Sequence, residues 1–339
     1  MKSKLYFALT AATLLVASAR AQDLSGLPVY EPSQQVSGTI RSWGHGFLKP
    51  MMKLWEDGFK KYQPNIQFED TLVSSAAAMA GLYSGRADIG VLAREITPPE
   101  LAAYEKMMKQ KIFPVTVLTG SYGNADKIMA LGIFVHKDNP LTQLTFTQLD
   151  AIWGSEKRRG EKEVIRTWDQ LGLTGEWKGK LIQPYSGLPY EAPGYLFSQT
   201  VLKGSVLWNC NLHEFEDTPG PGGDCYQKVV EALGKDPNGI ALSGAGYRNP
   251  NIKLIALAVK DGGPFIEPTK QNVINLTYPL SRPVRFYINN GSASPADPKV
   301  IEFFRYILSR EGQELVAKEG DFLPITTDVA HTEAGRLPH

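Results

Sequence analysis

Two stretches of this sequence place small residues and backbone donors where an anion could be held. Ser42-Trp43-Gly44-His45-Gly46-Phe47 lies between a short strand-forming run and apolar residues at helical spacing, and Val73-Ser74-Ser75-Ala76 lies between an alternating strand and an Ala-rich helix. The first N–H groups of a helix have no intrahelical acceptor and carry positive partial charge, so Gly46, Phe47, Ser74, Ser75 and Ala76 are candidate anion ligands. Arg94, at the end of the next strand, would add a planar donor fork suited to an oxyanion. Ordinary N-caps, an ordinary glycine turn and a solvated Arg94 paired with Glu95 explain the same residues.

Catalysis by the same residues would need His45 and Ser75 within hydrogen-bond reach, ~3 Å, as in an exported hydrolase. The sequence carries no Gly-x-Ser-x-Gly elbow, no Walker loop and no His-Glu-x-x-His, and its five histidines are scattered. No enzyme, cofactor or metal site is read from it.

Such ligands need strands that end side by side. Val36–Ser42, Ile66–Leu72, Ala87–Leu92, Phe113–Leu118, Met129–His136, Leu181–Tyr185, Ile240–Leu242, Leu254–Ala258 and Val284–Ile288 read as strands, most of them alternating with helical patterns. Thr97-Pro98-Pro99-Glu100 and Thr145-Phe146-Thr147-Gln148 read as capping boxes that open helices. This is an α/β chain whose ligand would collect beyond the carboxyl ends of mostly parallel strands.

Residues 1–21 have the order of a cleavable secretion signal: Lys2 and Lys4, an apolar run from Leu5 to Ala17, then Ala19-Arg20-Ala21, with cleavage after Ala21. The apolar run is shorter than the ~20 residues that span a bilayer. Cleavage removes three basic residues and no acid from 36 basic and 35 acidic, leaving a net charge of −2, which gives no electrostatic reason to expect nucleic acid or anionic lipid as partner. Gln22 offers no cysteine for a lipid anchor, so a soluble, unanchored, monomeric periplasmic protein is expected. In an oxidising compartment Cys210 and Cys225, the only two cysteines, are most simply a disulfide, worth about 3 kcal/mol at most for so short a loop. A polar linker is expected over 22–35 and an unpacked tail over 328–339.

Several stretches together resemble the phosphate-binding periplasmic protein family of ABC importers, in its divergent phosphate-binding-like branch. They are Ser84-Gly85-Arg86-Ala87-Asp88-Ile89-Gly90 with Arg94-Glu95, Val135-His136-Lys137-Asp138-Asn139-Pro140-Leu141 with Leu144-Thr145, Tyr278-Pro279-Leu280-Ser281-Arg282-Pro283, and Phe303-Phe304-Arg305-Tyr306-Ile307-Leu308-Ser309. The resemblance implies a two-lobed type II periplasmic-binding-protein fold with two crossing strands, near Leu118–Ile128 and Thr277–Pro283. Lobe 1 would comprise 36–118 and 280–327, with lobe 2 over 119–279.

It also implies phosphate or a related oxyanion in the cleft and an inner-membrane ABC permease as partner. The family's first anion loop falls on Ser42–Phe47, without its threonine, and the second on Val73–Ala76. Arg94 takes a position where better-known members have aspartate. The family's lobe-two Arg-x-x-x-Ser-Gly-Thr loop falls around Gly187–Pro193 and is replaced there, with Glu191 introduced. Tyr185, Ser186 and Tyr190 would approach the ligand from lobe 2. With Trp43, Tyr185 and Tyr190 would also suit an anionic organic solute.

Overall fold

The computed structural model describes residues 22–122, 127–290 and 296–338. The signal segment and its cleavage after Ala21 lie outside the described residues. The chain first runs through β1 (Gly38–Gly44), α1 (Lys49–Phe59), β2 (Ile66–Leu72), α2 (Ser75–Tyr83), β3 (Ile89–Val91), α3 (Pro98–Met108) and β4 (Phe113–Leu118). It then passes to β5 (Leu131–His136), β6 (Gln143–Thr145), α4 (Phe146–Trp153), β7 (Gln183–Gly187), α5 (Ala192–Thr200), β8 (His213–Phe215), α6 (Cys225–Leu233), β9 (Gly239–Gly244), β10 (Ile252–Leu254), β11 (Ala256–Ala258) and α7 (Lys270–Ile274). It returns through β12 (Val284–Ile288) to α8 (Pro298–Ile307), α9 (Arg310–Glu319) and α10 (Thr327–Arg336).

Two five-stranded sheets result, β2-β1-β3-β12-β4 and β10-β5-β9-β7-β8, with β11 and β6 paired separately. β12 inserts antiparallel between β3 and β4, so the last third of the chain completes the first sheet. Each sheet has its own core: Ile40, Trp55, Phe286 and Phe303 belong to one, Phe146, Trp153, Phe197 and Tyr278 to the other. These are lobes 1 and 2. Helical spacing puts Met51, Met52, Trp55 and Phe59 on one buried face of α1, and the Trp55 indole N–H donates to Gly312 O at 2.9 Å. Both capping boxes form, Thr97 with Glu100 and Thr145 with Gln148.

The two connections between lobes touch. Gly120 has φ +92°, and a Cβ there would lie 2.3 Å from Arg282 O, so only glycine allows the first crossing to pass so close to the second. Leu131 N–H donates to Leu280 O at 3.0 Å on the far side of the same junction.

Three expectations need correction. The last residues are not an unpacked tail: Thr326 caps α10, which buries Ala330 in the lobe 1 core, and Leu337 just after it packs there too. The N-terminal segment packs as well, with Tyr30 buried and its hydroxyl donating to Glu302 at 2.9 Å. Cys210 and Cys225 are both free. Cys225 begins α6, buried, its N–H held by Asp217 Oδ1 at 2.7 Å, while exposed Cys210 follows Asn209, which is bonded to the carbonyls of Trp153 and Ile152. Separate anchors set the two backbones, so closeness in sequence does not bring the sulfurs together.

Candidate functional site

A cleft of about 640 Å³ opens between the lobes. Lobe 1 contributes His45, Phe47 and Ala93, the crossings contribute Lys127, Ile128 and Arg282, and lobe 2 contributes Met129, Glu191–Pro193, residues of the loop from Asp217 to Asp224, and Tyr226. Ligands of two-lobed α/β proteins collect in such a crevice because both lobes can close on them.

Arg282 stands at the junction of the crossings, 2% exposed. It faces Glu95 at 3.4 Å and the carbonyl of Ala93 at 3.5 Å, longer than the usual range for N–H···O bonds, so its donors are only loosely engaged. Lys127 pairs with Asp321 at 3.0 Å. His45 caps the short turn after β1, its Nδ1 accepting from Phe47 N–H at 3.2 Å. Burial, and then the Arg94 charge, hold this imidazole below its usual pKa, which keeps it neutral at pH 7.

Lobe 2 presents acids. Glu191 is the N-cap residue of α5 but makes no capping bond, and burial, then Asp217 and Glu216, push its carboxyl up. Asp224 caps α6, accepting from Tyr226 N–H at 2.9 Å and from the Tyr247 hydroxyl. With Asp217 on the Cys225 amide, the α6 N-terminus already holds two carboxylates. α5 opens with Pro193 in its first turn, where no N–H is available. The α6 N-terminus is therefore closed to a bare anion, and that of α5 offers one donor fewer with Glu191 at its head. Asp217, Asp224 and Cys225 have ligand atoms within 4.8 Å of one another, but capping engages three of their four carboxylate oxygens and burial leads the causes that keep the thiol protonated.

Of the expected ligand residues, Phe47 alone lines this cleft among the described residues. Gly46, beside it, approaches Leu72 O. Ser74 caps α2 through Ala77 N–H at 3.2 Å, and Ser75 Oγ accepts from Ala93 N–H at 3.1 Å, which ties the start of α2, with Ala76, to the end of β3. Arg94 is not the free charge the sequence suggested: its guanidinium makes a two-pronged pair with Glu100 at 2.7 and 2.8 Å. Glu95, its expected partner, turns to Arg282 instead.

On lobe 2, Tyr185 donates to Asp236 at 2.9 Å and stacks on His213, and Ser186 is buried within β7. Tyr190 is 76% exposed, away from the cavity wall. His45 and Ser75 direct their polar atoms to Phe47 and Ala93, and no bond joins them. Sequence reasoning missed Arg282, although it lies in the quoted Tyr278–Pro283 motif, and read the Asp217–Asp224 loop only for its cysteines.

A family model described as "PBP superfamily domain" matches residues 30–311. The phosphate-binding protein PstS of Pseudomonas aeruginosa is 35% identical over 321 residues, covering 94% of this chain and 93% of that protein. Protein SphX of Synechococcus elongatus is 28% identical, covering 93% of this chain and 85% of its own length. Among solved structures, PstS from Borrelia burgdorferi superposes with a TM-score of 0.60 at 16% identity, over 86% of this chain and all of that one. An ABC-type phosphate transport receptor from Vibrio cholerae gives 0.57 at 19%, over 84% and 99%. At those identities the two structures speak for the fold, while the P. aeruginosa match shows homology along nearly the whole length. With two lobes, two crossings and a cleft between them, this chain belongs to the PBP superfamily and is a homologue of the phosphate-binding PstS proteins.

Proposed function

We propose that the protein captures phosphate or a related oxyanion in the inter-lobe cleft and delivers it to an inner-membrane ABC permease. It would work in the periplasm as a monomer, after cleavage behind Ala21. The observation that carries this reading is Arg282, a loosely paired guanidinium on the cleft wall of a chain homologous to PstS along most of its length. Lobe 1 would supply the Gly46, Ser75 and Ala76 amides at the carboxyl ends of β1 and β2, where first-turn N–H groups lack intrahelical acceptors. None of the described helices is long and apolar enough to cross a membrane.

Calorimetric titration of the chain from Gln22 onward with phosphate and sulfate tests the proposal. The Arg282→Met, Glu95→Gln pair removes both members of the ion pair, leaves no uncompensated buried charge, and should weaken oxyanion binding at least about tenfold, the worth of one charge-assisted hydrogen bond. No binding of any oxyanion, or equal affinity in the double variant, would refute it.

A further inference from the structure

We infer that the lobe 2 wall of the cleft is a seat for a cationic group, and that the solute is an oxyanion joined to an ammonium, a zwitterionic organic phosphate or phosphonate. This rests on the anion reading above and names its substrate class. Glu191 is the freest acid of that wall: it lines the cleft, heads α5 without a capping bond, and its carboxylate makes no hydrogen bond or ion pair among the described residues. Asp217 stands beside it, held by the Cys225 amide and thiol, and adds to the negative charge of the wall.

An independent observation points to the same place. The Tyr226 side chain, 6% exposed, lines the cleft, and its buried hydroxyl, close to Gly187, has no hydrogen-bond partner among the described residues. A buried hydroxyl is rarely left so, because forgoing its bonds costs about 1–3 kcal/mol. It lies within electrostatic reach of both Glu191 and Arg282, so it can accept from an ammonium or donate to an oxyanion spanning the two.

The opposite charges belong to opposite parts of the cleft. Arg282 is at the crossings, the acids are on lobe 2, and Phe47, Ala93 and Met129 give apolar surface for a short alkyl link. A volume of about 640 Å³ is in the range of organic ligand pockets, roughly 300–1,000 Å³. Bare phosphate has the wrong charge for this wall, since Glu191 and Asp217 would repel it.

The test compares 2-aminoethylphosphonate with n-propylphosphonate, in which a methyl replaces the ammonium, by calorimetry in the presence of a chelator. The amine should bind at least about tenfold tighter, as a charge-assisted hydrogen bond allows. Glu191→Gln, which breaks no side-chain bond among the described residues, should erase that preference by weakening the amine while leaving propylphosphonate binding no weaker, or tighter as the repulsion is lifted. Equal binding of the two analogues by the parent, or a preference that survives in Glu191→Gln, overturns the inference. Binding of inorganic phosphate but of neither phosphonate overturns it while sparing the anion reading; failure of all three ligands overturns both.

Discussion

Replacing Arg94 by methionine separates a structural arginine from a ligand-binding one. Arg94 and Glu100 have side chains 23% and 21% exposed, and Glu100 also accepts from the amide and hydroxyl of Thr97 at 2.9 and 2.8 Å. Burial alone would raise the Glu100 pKa, but the bonds from Arg94 and Thr97 outweigh it and bring it from 4.5 to about 2. At about 1.4 kcal/mol per pKa unit, that interaction is worth about 3 kcal/mol at neutral pH. Shared with Thr97, the Arg94 part is about 1.5–2 kcal/mol.

Because the folded-state pKa lies below the unfolded one, this stability is fully present above about pH 4.5 and is lost as the pH falls towards 2. Urea unfolding of Arg94→Met should therefore show a loss of about 1.5–2 kcal/mol at pH 7 that shrinks between pH 5 and pH 3. Calorimetry at pH 7 should show oxyanion affinity changed less than about threefold, because neither Arg94 nor Glu100 lines the cleft. A pH-independent loss, or a variant that keeps its stability and loses binding more than about tenfold, would refute this account and return Arg94 to the ligand.

Three further outcomes follow from the packing. Burial, then the neighbouring Asp70, raises the Glu56 carboxyl well above its usual range, so its ionisation opposes folding as the pH rises above about 4.5. Glu56→Gln should flatten the dependence of Tm on pH over that window and raise Tm at pH 8. A Cβ on Gly44 would lie 1.9 Å from Val91 O, so Gly44→Ala must part β1 from β3 and should cost about 1–3 kcal/mol in urea unfolding. Thiol titration of the native protein should find one fast group, exposed Cys210, and a second only after unfolding; no reactive thiol in either state would mean a disulfide.

Much of the architecture is local and was legible in the sequence. Capping boxes act over three residues, the apolar face of α1 repeats every three or four, and strand–helix alternation marks an α/β chain, so these features survive without knowledge of anything distant. Even the serines behaved locally: Ser74 caps α2 as an N-cap residue should. The tail misled because α10 is polar on most positions and buries only Ala330 and Glu333, with Leu337 following it into the core.

The site was harder to read because it depends on where side chains point. Arg94 has Glu95 next to it and Glu100 six residues on, and the first turn of α3 decides for Glu100 by presenting its carboxylate to the guanidinium. The released Glu95 meets Arg282, which is 187 residues away in sequence and is brought near by the crossing at Gly120. The same folding gathers Glu191, Asp217 and Tyr226 on one wall. By itself, then, the sequence determined the class, the elements and the family, because these rest on short-range periodicity and matching motifs. Which charges face the cleft and which are neutralised was decided only in three dimensions, because an ion pair depends on distance and burial rather than on separation along the chain.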